Sequence, residues 1–214
     1  CLITPYPGDT SKFYLFTSDQ ENNYDGLNFS IIDMKLDNGL GGIDSTCKSI
    51  NLTDSVSEKL CAAIHSNGYD YWMIVKRPLS SVFHSYLVTC DGIETAPVIS
   101  DAGDFYSEKG YMKASKDGKC IVSAELTSSG LVQLYDLDNS NGAVTFREII
   151  SQTPSKYYYG VEFSPDDSTI YVSNNTSIHQ YERFATNVGL TETILSHTGF
   201  SANAMQLAPD NKIY

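Results

Sequence analysis

The chain has 214 residues, 41% of them hydrophobic and 19% charged, a composition that excludes a disordered polymer and fits a globular fold. A net charge of −12 argues against nucleic acid as a partner, because phosphate recognition needs a Lys/Arg surface. No run approaches the ~18 consecutive apolar residues of a membrane helix, so no membrane insertion is expected.

Fifteen Tyr and nine Phe point toward β-structure, and no segment sustains a 3.6-residue apolar period. A first unit spans about 1–55. Its strands are expected near Leu2–Thr4, Phe13–Thr17, Leu27–Leu36 and Cys47–Leu52, with loops over Asp19–Gly26 and Asp37–Gly39. A second unit, about 57–100, repeats the plan with Leu60–His65, Tyr69–Lys76, Val82–Thr89 and Pro97–Ser100. The third, about 108–150, gives Tyr111–Ser115, Cys120–Glu125, Leu131–Leu137 and Val144–Ile150. The fourth, about 157–198, gives Gly160–Ser164, Thr169–Ser173, Ser177–Phe184 and Thr191–Leu195. A fifth begins over 201–214.

One hairpin recurs through these units. GVEFSPDDSTIY (Gly160 to Tyr171) is strand, acidic turn, strand; Pro165 presets φ, and Ser164 and the Asp side chains cap turn N–H groups. YMKASKDGKCIV (Tyr111 to Val122) and MQLAPDNKIY (Met205 to Tyr214) share the form. Degraded copies run from Cys61 to Val75 and from Leu2 to Phe16. Turn positions 67, 117, 166 and 210 recur at intervals of 50, 49 and 44. Four strands per such period predict an all-β fold, a β-propeller of four-stranded antiparallel blades. Strands apolar on both faces, such as Tyr71 to Val75 around Trp72 and the Phe29, Ile31, Ile32 segment, suit blades packed between neighbours. A β-sandwich is the weaker alternative, since it need not repeat one hairpin at a near-constant interval. With four units and part of a fifth, the chain reads as an open piece of a propeller with seven blades, further blades being supplied elsewhere in a longer protein. Its start at Cys1 rather than Met fits a processed form or a fragment.

Cys1, Cys47, Cys61, Cys90 and Cys120 form no CxxC or zinc spacing and are read as buried or half-buried free thiols on strands, with a single disulfide or a lipoprotein-type Cys1 as minor alternatives. Asp136 to Gly142 looks like a calcium loop, but an EF-hand would place Gly at Asn141 and Glu at Arg147, so a hairpin turn is expected; Asp33 and Asp37 get the same reading. Gly199 to Asn203 resembles a nucleophile elbow without its second Gly or a strand-to-helix context. His65, His84, His179 and His197 show no metal-binding pairing. Tyr157-Tyr158-Tyr159 could form a sugar-stacking platform, though packing of one or two of them between blades is favoured. Asn28, Asn51 and Asn174 open glycosylation sequons that matter only in a eukaryotic secretory protein. No residue is therefore assigned as catalytic, cofactor-binding or metal-ligating, and no cofactor is expected.

The stretches Gly26 to Ile43, Ser57 to Trp72, Ser85 to Ser100, Gly110 to Lys119, Gln133 to Gly142, Tyr159 to Ser173 and Gln206 to Tyr214 resemble, in the same order, β-propeller proteins of Bacteroidota. Members of that group are often secreted or surface-attached. They often carry PKD-like domains and a C-terminal segment for type IX secretion or associated with gliding motility. The resemblance implies a propeller and a secreted or outer-membrane-associated location, and brings no catalytic residues. This chain shows no PKD-like or sorting segment, which fits a piece of a longer protein. The expected function is a non-catalytic module whose loops bind a protein or glycan. The alternative is a lactonase-like hydrolase with its active site at the mouth of the channel.

Overall fold

The computed structural model describes residues 1–18, 26–105, 107, 109–196 and 203–214. Four antiparallel sheets follow one another along the chain. The first contains β1 (Leu2–Tyr6), β2 (Asp9–Ser18), β3 (Leu27–Asp33), β4 (Gly42–Ile43) and β5 (Ile50–Thr53), in the order β1-β2-β3-β4 with β5 also paired to β3. The second contains β6 (Leu60–Ile64), β7 (Tyr71–Lys76), β8 (Val82–Thr89), β9 (Gly92–Ile93) and β10 (Val98–Asp101); β10 pairs with β8 and β9 extends its turn. The third is β11 (Met112–Ala114), β12 (Cys120–Glu125), β13 (Leu131–Asp138) and β14 (Ala143–Gln152). The fourth is β15 (Val161–Phe163), β16 (Thr169–Ser173), β17 (Ser177–Glu182) and β18 (Thr193–Ser196).

Each sheet is a meander in which the first strand lies innermost, and the inner strands β1, β6, β11 and β15 adjoin in sequence. The protein is a β-propeller in architecture. Its core is a series of layers between sheets rather than one central cluster. Tyr14, Phe16, Leu27, Met73, Val75 and Val88 fill the first interface. Trp72, Ile74, Phe83, Ile121, Tyr135 and Leu137 fill the second. Val122, Leu134, Tyr158, Phe163, Val172 and Tyr181 fill the third. β7 and β12 alternate between two of these layers, which is why Trp72 to Lys76 and all of β12 are buried on both faces.

The recurring hairpin has one hydrogen-bond pattern. His65 N–H donates to Asp70 O (2.9 Å) and Gly68 N–H to His65 O (2.9 Å). The same pair joins Ser115 with Cys120 and Gly118, and Ser164 with Thr169 and Asp167. The last copy closes one residue tighter: Ala208 N–H donates to Lys212 O (2.9 Å) and Asn211 N–H to Ala208 O (3.0 Å). Side chains lock the turns: the Ser164 hydroxyl donates to Asp166 (2.6 Å) and accepts from Thr169 N–H (2.9 Å). Bonds from the Ser164 and Ser168 hydroxyls hold the Asp166 carboxyl down at about 2.

Several sequence expectations need correction. The strand expected over Leu27–Leu36 stops at Asp33, whose carboxylate accepts Lys35 N–H (2.8 Å) and bends the chain into a short 3₁₀ turn at Asp37–Gly39. The one expected over Cys47–Leu52 is Ile50–Thr53, because Ser49 has φ of +51°. The one expected over Ser177–Phe184 ends at Glu182; Arg183 turns inward while Phe184 stays exposed. Of the cysteines only Cys61 and Cys120 lie on strands and are buried; Cys1 and Cys90 are exposed, and all five are free. The expectations for the 19–25 loop, His197 and 199–202 lie outside the described residues.

Candidate functional site

In an antiparallel meander the start of the first strand, the end of the second, the start of the third and the end of the fourth lie at the same edge. The segments entering β6, β11 and β15 and the links between each second and third strand therefore gather at one end of the inner strands. Two adjoining depressions open there. The smaller, about 360 Å³, is lined by Cys1, Ser18, Glu58, Leu60, Met112 and their neighbours. The larger, about 840 Å³, is lined by Lys109, Leu126, Tyr157, Asn175 and Asn203. Tyr111 and Tyr159 line both.

The tyrosine triplet explains its own division of labour. In the extended run before β15 successive side chains point to opposite sides. Tyr158 turns into the third interface, fully buried, where it accepts a hydrogen bond from the Ser151 hydroxyl (3.0 Å) and meets His179 edge-on. Tyr157, 44% exposed, and Tyr159 turn to the depression. Tyr159 meets Tyr111 of the preceding blade edge-to-face, with ring centroids 5.3 Å apart at 64°, and Tyr111 N–H donates to Tyr159 O (2.8 Å). Burial, then the nearby Glu58 carboxylate, raises the Tyr159 phenol above its usual range. The packing reading holds for Tyr158, while Tyr157 and Tyr159 present their rings to the depression.

Below this wall lies a charged cluster that the sequence reading missed. Lys59, which precedes β6, forms an ion pair with Glu125 at the end of β12, and Lys76 at the end of β7 approaches the same carboxylate at 3.7 Å. All three side chains are sealed from solvent. Lys59 also donates to Ser107 O (3.0 Å) and Lys76 to Asp104 O (3.2 Å), while Ser107 N–H donates to Glu125 (3.1 Å). These bonds moor the segment that leads to Lys109 and Tyr111. Burial pushes the Lys59 ammonium down to about 8, against the pull of Glu125, and lowers Lys76 for the same reason. A signal was present: each charge abuts an otherwise apolar strand, and Lys76 and Glu125 end the second strands of successive blades.

A third constellation has the connectivity of a hydrolase relay. Ser177 Oγ lies 3.2 Å from His179 Nε2, and His179 Nδ1 lies 2.8 Å from Glu192, which also accepts from the Tyr181 hydroxyl (2.7 Å). Yet Ser177 is 5% exposed and His179 2%, inside the third interface. Ser177 Oγ also lies 3.1 Å from Asn174 Oδ1, an acceptor that competes with the ring for its single proton. The relay ties β17 to the segment before β18; it does not meet substrate.

The remaining motifs are structural. Asp138 caps its own turn through Ser140 N–H (3.0 Å) and the Asn141 amide (2.8 Å). His65 leans on Trp72 and His84 on Tyr86. Asn28 and Asn51 face each other across β3 and β5, while Asn174 is buried beside His179. Among the described residues no three His, Cys, Asp or Glu side chains converge as metal ligands would. No described helix is long and apolar enough to cross a membrane.

No family model matches this chain, and no curated protein matches it. Among solved structures it is similar to the periplasmic gluconolactonase PpgL of Pseudomonas aeruginosa, with 13% identity over 92% of this chain and 59% of that one, at a TM-score of 0.63. A Bacteroides fragilis protein assigned as a 6-phosphogluconolactonase aligns with 11% identity over 94% of this chain and 55% of its own, at 0.60. The Dos1 propeller aligns with 8% identity over 98% of this chain and 49% of its own, also at 0.60. At such identities the likeness is one of fold. The chain spans about half the length of the propellers it matches.

Proposed function

We propose that this chain is a non-catalytic propeller module of a bacterial secreted or cell-surface protein, binding a protein or glycan at the loop end of its inner strands. The observation that carries this reading is the pair of adjoining depressions walled by Tyr111 and Tyr159. Loops held by a rigid scaffold are where propellers and other repeat folds bind ligands. The module belongs to a longer chain that completes the ring, and the resemblance to Bacteroidota propellers supports an envelope location. Binding is tested on arrays of peptides and glycans, comparing the wild type with a Tyr111→Ala/Tyr159→Ala variant. Signal that survives the double substitution would move the site elsewhere. Location is tested by fractionating cells that express the complete reading frame; a cytoplasmic pool alone would defeat it.

The second reading is a lactonase-like hydrolase, favoured by the likeness to gluconolactonase structures. It would use the same end, where Glu58 is the carboxylate of the smaller depression. Hydrolysis of gluconolactone and its 6-phosphate above the uncatalysed rate, abolished by Glu58→Gln, would replace the non-catalytic reading.

A further inference from the structure

We propose that Tyr111, Tyr157 and Tyr159 form a stacking platform for a neutral oligosaccharide, oriented by the side-chain amides of Asn175 and Asn203. The proposal rests on the binding reading above and names its ligand class. These five side chains line one depression of about 840 Å³, within the ~300–1,000 Å³ of small-ligand sites. Three blades contribute: Tyr111 enters the third, Tyr157, Tyr159 and Asn175 belong to the fourth, and Asn203 precedes the last hairpin.

The chemistry of the lining selects the occupant. Flat rings offer apolar faces, and a pyranose has an apolar C–H face to lay on them. The three phenols and two amides make no hydrogen bond to other described side chains, so donors and acceptors of both kinds remain for ligand hydroxyls. A wholly apolar ligand would bury those tips without partners, at about 1–3 kcal/mol each. A polyanion would meet Lys109 in the lining but a protein of net charge −12 around it. A neutral polyol satisfies both constraints. The 64° angle between Tyr111 and Tyr159 lets one sugar ring stack on one tyrosine while the edge of the other flanks it. Tyr157, on the same side by alternation, is placed for a second sugar unit.

The platform is fixed before any ligand arrives. Tyr111 N–H is bonded to Tyr159 O, the next residue, Gly160, donates its N–H to the Ser173 hydroxyl (3.1 Å), and that hydroxyl donates to Asn203 O. A Cβ on Gly160 would lie 2.0 Å from Asn203 O, so glycine is what allows these segments to close together.

The test is calorimetric titration of the complete protein with neutral hexasaccharides of glucose, xylose, mannose and N-acetylglucosamine, in parallel with a peptide library. The expected result is saturable binding of at least one neutral sugar at millimolar concentration or below. Tyr159→Ala or Tyr157→Ala should weaken it about tenfold, the ~1.4 kcal/mol expected of one stacked ring, while Tyr159→Phe stays within about threefold. Asn175→Ala, an exposed change that leaves the fold alone, should weaken it several-fold. Three results would overturn the proposal. Sugar binding indifferent to all these substitutions places the saccharide elsewhere. Peptide binding lost in Tyr159→Ala, with no sugar bound, keeps the binding reading and removes the saccharide. No ligand of either kind at this end removes both.

Discussion

Two lysines share one sealed glutamate between the second and third sheets, with Glu58 and Asp104 acting on them from further off, and protonation is the variable that responds. Burial holds the Lys59 ammonium down at about 8 in the fold, below its ordinary 10.5. Between those values the unfolded chain holds a proton that the folded chain has released, so stability rises with pH across that window. The gain attributable to Lys59 is on the order of 3 kcal/mol by the ~1.36 kcal/mol per pKa unit relation. Cys61 and Cys120, both held up to about 12 by burial, oppose it above pH 9. The clean measurement is the unfolding free energy of the wild type minus that of Lys59→Met from pH 7.5 to 10.5; this difference should climb, and a flat or falling one would show that Lys59 is neither buried nor shifted. Glu125→Gln should cost about 3–5 kcal/mol at pH 7, since it removes the one sealed carboxylate that pairs with both buried ammonium groups. Trp72 is the residue that sequence made legible: the only tryptophan, in a two-sided apolar strand, it is 4% exposed. Its indole N–H donates to Asn139 O (3.0 Å), and a Cβ on Gly142 would lie 2.7 Å from its ring. Trp72→Ala should cost about 3–5 kcal/mol in chemical denaturation; a change below about 0.5 kcal/mol would be the value of a surface site. Lys59 and Glu125 were missed despite their places beside apolar strands, because a charged residue in a sequence reads as solvated, and the partner that makes it otherwise lies 66 positions away.

At the scale of elements, the acidic turns do more than reverse the chain. The Asp167 carboxylate accepts Lys116 N–H and Asp117 N–H, both at 2.9 Å, so the fourth blade's turn caps the third's. Arg183 then clamps both blades, with paired bonds to Asp117 (2.7 and 2.8 Å) and an ion pair to Asp167 (3.2 Å). Burial would raise Asp117, but the Arg183 guanidinium and the Ser115 hydroxyl outweigh it and hold the carboxyl below its usual value. Arg183→Met should cost about 2–4 kcal/mol, less than a fully buried broken pair because Asp117 is partly open to water. The same variant should lose part of the acid sensitivity of the wild type: stability contributed by a depressed carboxyl is present at neutral pH and lost as pH falls through its folded value. A variant as stable as the wild type at pH 7 would reduce the clamp to a surface contact. The hairpins themselves were legible because their turn residues carry the mechanism: Ser at the first position in the third and fourth units, and Gly, Asp or Asn where φ is positive, as at Gly118 (+70°), Asp167 (+62°) and Asn211 (+63°). The clamp was not, because turn chemistry is local, and nothing local in SPDDS or SKDGK says that one turn lies under the next. The tyrosine wall was half legible: the triplet stood out, but Tyr111 joins it only through the packing of β11 beside β15.

For the whole molecule, the faces of the two outermost sheets set the last prediction. On the first sheet the inward side holds Leu2, Tyr14, Phe16, Phe29 and Ile31. The outward side carries Ile3, Phe13, Leu15, Ile32 and Ile43, aligned across strands as Ile3–Leu15 and Phe13–Ile32–Ile43. Ile3 is 56% exposed and Ile43 42%, an apolar face of the kind that the inner sheets bury completely. On the fourth sheet Tyr171, Ile178 and Leu195 face outward, covered in part by Met205 and Ile213 of the last hairpin across a gap of about 270 Å³. That hairpin is tied to its neighbour through Glu162, which accepts Leu207 N–H (2.9 Å) and pairs with Lys113 (3.1 Å). We read it as the beginning of a further blade rather than as a polar cap. Closing a ring hides such faces. If each exposes roughly 500 Å² of apolar surface, closure is worth on the order of 12 kcal/mol per face at ~25 cal/mol/Å², comparable with the whole net stability of an ordinary domain. We propose that the intact protein adds two or three blades, with seven in all, and that the 214 residues alone expose both faces. The isolated chain should then bind a hydrophobic dye strongly and elute from a sizing column as associated species. Replacing Ile3 and Ile43 with Lys should reduce both effects without shifting the Trp72 fluorescence of the interior. A longer product that includes the following blades should be monomeric, dye-silent and more resistant to denaturant than the 214 residues. A monomeric, cooperative melt of the short chain with no dye binding would show that four sheets and a hairpin are a sufficient fold.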